Sequence, residues 1–312
     1  MLAIVSPGQG AQRPGLLTPW LAMQGFRTRI DSFAALTGID LETLGTTATA
    51  ETIKATEYAQ PLLVATAICA ARELPIENAH PAANLIAGHS VGELVAATLA
   101  GVLSETAAIT LAVARGRAMA QAAAITDTGM AAVVLGDPAE IATYAAARGL
   151  SVANFNGVGQ VVVGGTRVQL DDLVANPPAH SKVVPLQVAG AFHTSHMEPA
   201  ISEVANSAAH LVTADPTLPL LSNRDGAIVA SGADYLRRLI SQIASPVRWD
   251  LCMATMRECN ITGVLELPPA GVLSGLVRRN LPEVAVFSLN SPLDLPAAEA
   301  FIQRHHVAEA TR

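Results

Sequence analysis

Charge is scarce in this chain. Of its 312 residues only 14% are charged, aromatics make up 4%, and cysteine occurs three times. Each shortage excludes something. Disordered chains are rich in charge and poor in apolar side chains, whereas 51% of these residues are hydrophobic, so a globule with a sizeable core is expected. Cys69, Cys252 and Cys259 form no C-x-x-C pair and are odd in number, which argues against a disulfide framework and against a zinc site. They read as buried or incidental thiols. No tract of Lys and Arg interrupts a net charge of −7, so nucleic acid, bound through phosphate neutralisation, is not an expected partner. A membrane span needs roughly 20 mostly apolar residues in one run. The most apolar stretch, 94–114, holds Gly101, Ser104 and Glu105 in its middle and reads as two buried helices. No membrane association is expected. No basic region followed by an apolar stretch accompanies the strand-like segment 2–6, so no signal peptide is read and a cytoplasmic location is expected.

Short apolar runs alternate with Ala-rich helical stretches. The pattern predicts strands at 2–6 and 84–87 and helices at 56–73 (with Pro61 inside), 91–100 and from Ser104, as N-cap, to about 124. Buried strands alternating with helices indicate a parallel sheet covered on both faces. The style changes after Gly129. A strand at 130–135, a helix at 137–148, strands at 150–155 and 160–164 joined by Asn156-Gly157-Val158-Gly159, a helix at 166–174 and a strand at 182–188 give the order β-α-β-β-α-β. That is the ferredoxin-like arrangement. The expected architecture is therefore an α/β-hydrolase-like domain with a mainly parallel sheet, formed by 1–126 and 189–312, plus a small ferredoxin-like subdomain at 127–188. Beyond it, helices are expected at 199–211, 235–243 and 271–280 and strands at 219–222, 263–267 and 284–289, with an amphipathic helix in the tail from Leu293.

The strongest local signal is Gly88-His89-Ser90-Val91-Gly92, a G-x-S-x-G pattern between a predicted strand and a predicted helix. The sharp turn needs small residues around Ser90, and both glycines supply that. Ser90 would then project its hydroxyl from the tip, at a helix N-terminus where free N–H groups favour negative charge. The backbone N–H of Val91 would point where an oxyanion forms. His89 neighbours the serine but points apart on such a turn, and reads as structural or pocket-lining. A serine needs a base beside it. His305 and His306 lie in the tail, and His80, His180 and His210 in loop-like or helix-end positions. His193 and His196 remain, where the chain re-enters the large domain, and composition does not choose between them.

Taken together the motifs resemble the malonyl-CoA:acyl carrier protein transacylase family, which includes the acyltransferase domains of fatty-acid and polyketide synthases. The matching pieces are Pro7-Gly8-Gln9-Gly10-Ala11-Gln12, Gln60-Pro61, the elbow through Glu93, Arg115-Gly116-Arg117, the segment 154–165, the segment 190–197, Ser222-Asn223 and Pro246-Val247-Arg248-Trp249. They span almost the whole chain in the family's order. The resemblance implies Ser90 as acylated nucleophile, His193 as base with His196 a bystander, and the backbone N–H groups of Gln9 and Val91 as oxyanion donors. It implies a backbone carbonyl, that of Arg248, in place of an acidic residue to orient the histidine. Arg115 would bind the free carboxylate of malonate, for which a bidentate guanidinium is the matching shape. Arg117, about 200° around the same helix, could not share that pocket. Phe192 and Val91 would bear on the acyl chain. A bulky residue before the base crowds an α-methyl branch, a discrimination worth about 1–3 kcal/mol. One departure is Pro268-Pro269-Ala270-Gly271, where the family often has a G-P-G-like turn.

The implied reaction moves malonyl from malonyl-CoA to Ser90 and then to the phosphopantetheine thiol of acyl carrier protein, in ping-pong order. No cofactor is implied beyond these substrates, and a monomer is expected. Arg278-Arg279, Arg257 and Arg237-Arg238 could form a basic surface for an acidic carrier, although ordinary solvated helix faces look the same in sequence. A serine esterase would share the elbow without needing Arg115. A malonyltransferase of another malonate-handling system would share every motif.

Overall fold

The computed structural model describes residues 1–75 and 84–306. The chain opens with β1 (Leu2–Ser6) and continues through α1 (Gln24–Thr37), α2 (Leu41–Thr46), α3 (Ala50–Lys54) and α4 (Thr56–Ala71). Then come β2 (Asn84–Gly88), α5 (Gly92–Leu99) and α6 (Glu105–Ile125). Ser104 caps α6 by accepting from the Ala107 N–H at 3.1 Å, and Gly101, at φ 79°, turns the chain between α5 and α6. No described helix is long and apolar enough to cross a membrane.

The next segment supplies β3 (Thr128–Val134), α7 (Pro138–Ala146), β4 (Ser151–Phe155), β5 (Gln160–Thr166), α8 (Arg167–Ala175) and β6 (Lys182–Pro185). Asp137 caps α7, and Thr166 and Gln169 form a reciprocal capping box on α8. After it follow α9 (Glu198–Ala208), α10 (Gly232–Ser241), β7 (Val247–Arg248), α11 (Trp249–Glu258), β8 (Gly263–Glu266), α12 (Val272–Asn280), β9 (Ala285–Ser288) and α13 (Leu295–His306). Segment 219–222, expected as a strand, makes only single bridges, Leu220 to Ile86 and Leu221 to Ile228.

The first sheet is parallel throughout, in the order β2-β1-β8-β9. Side chains of β1 alternate between its two covered faces. Leu2 and Ile4 join the large core with α1, α4, α5 and α6, while Ala3 and Val5 pack in a second cluster with Trp249, Met253 and Leu273. The second sheet has the order β6-β3-β5-β4, which is the ferredoxin-like order, extended by β7 in parallel on β4. Ala131, Val133, Val161 and Val163 face α7 and α8, whereas Met130, Ala132 and Val162 turn the other way, toward the large core.

The register of β1 on β2 ends at Ser6 opposite Gly88, so two chain turns leave the sheet side by side at the C-terminal ends of parallel strands. That juxtaposition leaves no room for side chains. A Cβ on Gly88 would collide with the backbone of Gly92, and one on Gly92 with the carbonyl oxygen of Ser6. Gly92→Ala should therefore cost about 1–3 kcal/mol or more through forced displacement of β1. Urea unfolding would measure it; an unchanged midpoint would refute this packing.

Candidate active site

Ser90 sits at the tip of the turn between β2 and α5 with φ 55°, a left-handed conformation that a non-glycine residue holds only when its surroundings impose it. The imposing contacts are visible. Its N–H donates to Asn223 Oδ1 at 2.8 Å, and the Asn223 amide donates in turn to the Gly88 carbonyl at 2.7 Å. Committing the serine's own N–H leaves the next one free. Among the described residues, neither the Val91 N–H nor the Gln9 N–H has an acceptor. Gln9 belongs to the turn leaving β1, and its side chain is tied to Thr56 at 3.2 Å.

His193 arrives from the segment between β6 and α9, also with positive φ (61°). Its N–H donates to the Ile243 carbonyl at 3.2 Å. Ser90 Oγ and His193 Nε2 lie 2.7 Å apart. His193 Nδ1 lies 2.8 Å from the backbone oxygen of Gln242. A carbonyl can only accept, so Nδ1 carries the proton and Nε2 presents its lone pair to the serine hydroxyl. Burial, reinforced by the charge of Arg115, pushes the His193 pKa down to about 3. The imidazole is therefore neutral, as a general base must be.

The carbonyl behind the histidine is a correction to the sequence reading. It belongs to Gln242, in the turn after α10, and not to Arg248. The backbone of Arg248 is engaged elsewhere: its N–H donates to the Asn223 carbonyl at 2.7 Å, and the residue pairs with Phe155 in the second sheet. Its guanidinium stacks over Phe155 and pairs with Asp250 at 2.8 Å.

Arg115 projects from α6 and is only 3% exposed. Its Nη1 donates to Gln60 Oε1 at 2.8 Å, and its Nη2 to Gln242 Oε1 at 3.0 Å and to Ser90 Oγ at 3.3 Å. Burial lowers its pKa to about 10 against the support of Glu93, so it remains a cation at neutral pH. Arg117 is exposed on the opposite side of α6. Ser90, His193, Arg115, Gln9 and Phe192 open onto one cleft of about 400 Å³, whose apolar wall includes Met130 and Val162 of the second sheet. His89 also lines it and is held by Asn156 at 3.1 Å. Leu273 and Leu276 of α12 close another side. The turn before α12 is fastened by the buried Glu266 carboxylate, which accepts from the N–H groups of Gly271, Leu273 and Ser274 at 2.7–2.9 Å. His180, His196 and His210 are not part of the cleft, and His80 lies outside the described residues.

Four contributors were not assigned a role from sequence. Gln60, Asn223 and Glu93 stand inside quoted motifs, which marked them without saying what they do. Gln242 carried no motif at all. Among the described residues no group of His, Cys, Asp and Glu could hold a metal ion.

The arrangement has known counterparts. The chain matches the acyl transferase domain family over residues 4–293. A malonyl CoA-acyl carrier protein transacylase of Mycobacterium tuberculosis is 46% identical over 296 residues, covering 95% of this chain and 98% of that protein. Its Escherichia coli K12 namesake is 32% identical over 304 residues, with 95% and 98% covered. The crystal structure of MCAT from Mycobacterium tuberculosis superposes with a TM-score of 0.92 at 44% identity, covering 96% of this chain and 99% of that one. A malonyl-transacylase solved in complex with its type II PKS acyl-carrier protein superposes with a TM-score of 0.90 at 27% identity, with 96% and 99% covered.

A depressed histidine pKa has a measurable sign. The unfolded chain takes up a proton near pH 6.5 while folded His193 refuses it until about 3, so this residue subtracts stability as pH falls through that window. The His193 ring Cε1–H resonance, assigned with a His193→Gln control, should not move between about pH 7.5 and pH 5. An inflection near the ordinary histidine value would contradict the buried neutral state.

Proposed function

Because the chain belongs to the acyl transferase domain family, we propose that it transfers a malonyl group from malonyl-CoA to the phosphopantetheine thiol of an acyl carrier protein, through a malonyl-Ser90 intermediate. The observation that carries the choice of acyl group is the buried guanidinium 3.3 Å from the candidate nucleophile. A cation so placed meets the far end of a short dicarboxylic acyl unit and nothing in a simple ester. Transfer of malonyl by this chain supplies extender units to fatty-acid or polyketide assembly.

Chemically, His193 Nε2 takes the proton of Ser90 Oγ as the hydroxyl attacks the thioester carbonyl. The resulting oxyanion is met by the N–H groups of Val91 and Gln9, preorganised donors of the kind that contribute most to acyl transfer. The C–S bond breaks, and coenzyme A leaves as the thiol with the proton from His193. Arg115 then releases the Ser90 oxygen, now an ester, and keeps the malonyl carboxylate by paired hydrogen bonds. The carrier thiol enters by the same opening, loses its proton to His193 and attacks the ester carbonyl. Ser90 leaves with that proton. Phe192 and Met119 border the acyl unit. The reaction needs no metal and no cofactor of its own.

The same reading divides the chain into a catalytic domain, 1–126 with 189–312, and a small subdomain, 127–188, and places the protein in the cytoplasm as a monomer without membrane or nucleic-acid partners. It also sorts the basic residues offered by the sequence. Arg237 and Arg238 are paired with Asp234 and Asp225, and Arg257 with Glu283. Arg278 and Arg279 are exposed on α12 and have no ion pair among the described residues. They are the better docking surface for an acidic carrier, on the helix that also lines the cleft.

Intact-mass measurement after mixing with malonyl-CoA should show a malonyl adduct that a carrier protein discharges and that Ser90→Ala lacks; an adduct persisting in Ser90→Ala would overturn the assignment. Arg115→Ala should lower malonyl loading by about 100-fold or more while sparing acetyl loading, since a buried charged contact is lost for one substrate only. Unchanged preference would sink the role of Arg115. Arg278→Glu with Arg279→Glu should raise KM for the carrier roughly tenfold and leave loading from malonyl-CoA unaltered; equal effects on both halves would remove this docking surface.

A further inference from the structure

A buried cation that must receive a substrate anion poses a problem. Left alone it is costly to bury. Paired directly with a protein carboxylate, it would be occupied, and malonate would have to displace its own competitor. The site places an acid one amide away. Glu93, the last residue of the elbow motif, is 1% exposed at the start of α5. One carboxylate oxygen accepts from the Asn223 backbone N–H and the other from Gln242 Nε2, each at 2.6 Å. Gln242 Nε2 also donates to Asn223 Oδ1 at 3.1 Å, and the amide turns its Oε1 to Arg115 Nη2 at 3.0 Å. The amide is thus aligned with its negative end toward the guanidinium and its positive end toward the carboxylate.

The backbone of Gln242 is the same group whose carbonyl receives His193 Nδ1–H at 2.8 Å, and Asn223 is the residue that holds the Ser90 N–H at 2.8 Å. Glu93 touches none of the reacting atoms, yet each oxygen grips a residue that positions one. Burial raises the Glu93 pKa to about 8, opposed by the Asn223 N–H, the charge of Arg115 and the Tyr235 hydroxyl, so what Glu93 supplies here is the direction of its hydrogen bonds more than a full charge. Both oxygens face donors, so a carboxyl proton there would displace one of these two bonds.

We infer that Glu93 is a positioning residue for malonyl selectivity: by fixing the orientation of the Gln242 amide it turns Oε1 toward Arg115 and keeps the guanidinium clear of a protein carboxylate and open to the substrate's. A glutamine at 93 cannot do this. Its NH₂ would face either the Asn223 N–H or Gln242 Nε2, and rotation of the Gln242 amide to relieve that clash would turn Nε2 toward Arg115, donor against donor. Moving the acid to 242 keeps a bond between the two side chains, with the donor now on residue 93, and sets the charge in direct contact with Arg115, which closes it to malonate; the bond from Gln242 Nε2 to Asn223 Oδ1 at 3.1 Å is lost in the exchange.

This inference rests on the proposed role of Arg115, so Arg115→Ala is measured beside it. The experiment is rapid-quench loading of Ser90 from malonyl-CoA and from acetyl-CoA, read by intact mass, in the wild type, Glu93→Gln, and the exchange Glu93→Gln with Gln242→Glu. Glu93→Gln should lose roughly tenfold to a hundredfold of the malonyl-over-acetyl preference, the range of one hydrogen bond to a charged group. The exchange variant should likewise lack the malonyl preference, its Arg115 being paired directly with the acid at 242. Equal losses for both donors in Glu93→Gln, or a malonyl preference retained by the exchange variant, would overturn the inference. So would failure of both isosteric variants to fold while Arg115→Ala folds, since Glu93 would then serve folding alone. If Arg115→Ala itself keeps the preference, the fault lies with the proposed function instead.

Discussion

Everything at this site depends on the contact between the elbow and the first strand. Gly88 and Gly92 let the Ser90 turn press against Ser6 with backbone on backbone, and no other residue type fits there. That closeness puts the turn that carries Val91 from the end of β2 to α5 beside the turn that carries Gln9 from the end of β1. The two N–H groups, neither with an acceptor among the described residues, lie on stretches that leave parallel, adjacent strands whose register ends together. The left-handed backbone at Ser90 is the strain this demands, and Asn223 holds it in place from the opposite side.

Around that contact the polar groups are fastened mostly by amides. Gln9, Gln60, Asn223 and Gln242 carry the hydrogen bonds that a serine hydrolase of the Ser-His-Asp kind would assign in part to a carboxylate. Amides hold geometry without adding charge. Next to a buried guanidinium that distinction matters, because a carboxylate on the histidine would lie within reach of Arg115 and raise the basicity of an imidazole that here stays neutral. Glu93, set behind Gln242, meets Arg115 only through that amide.

Much of this was legible in the sequence. The alternation of short apolar runs with helices gave the parallel sheet, and β-α-β-β-α-β gave the second one, because Asp137, Thr166 and Asn156-Gly157 mark helix starts and a turn with local chemistry. Helices α1 and α11 were not foreseen. Each begins without a capping side chain, at Met23 and at Arg248, so neither announces its start. Helices α2 and α3 are capped by Asp40 and Thr49 but are too short to show a period. In the site, Ser90 and its glycines have a local pattern, whereas His193 was separable from His196 only by resemblance. The carbonyl on His193 escaped because any residue has a carbonyl. Choosing the one that points at an imidazole requires knowing where the turn after α10 ends, and that is set by packing. The resemblance pointed to Pro246-Val247-Arg248-Trp249, and the carbonyl belongs to Gln242, upstream of that segment.

The short strand β7 has a mechanical meaning. It is sewn onto the edge of the second sheet, and only a few residues upstream the same strand of chain grips the imidazole through Gln242. The second sheet also supplies one wall of the cleft. The wall of the cleft and the carbonyl that holds the imidazole are therefore tied to one edge of one sheet, so the position of His193 and the width of the cleft are set by the same pairing.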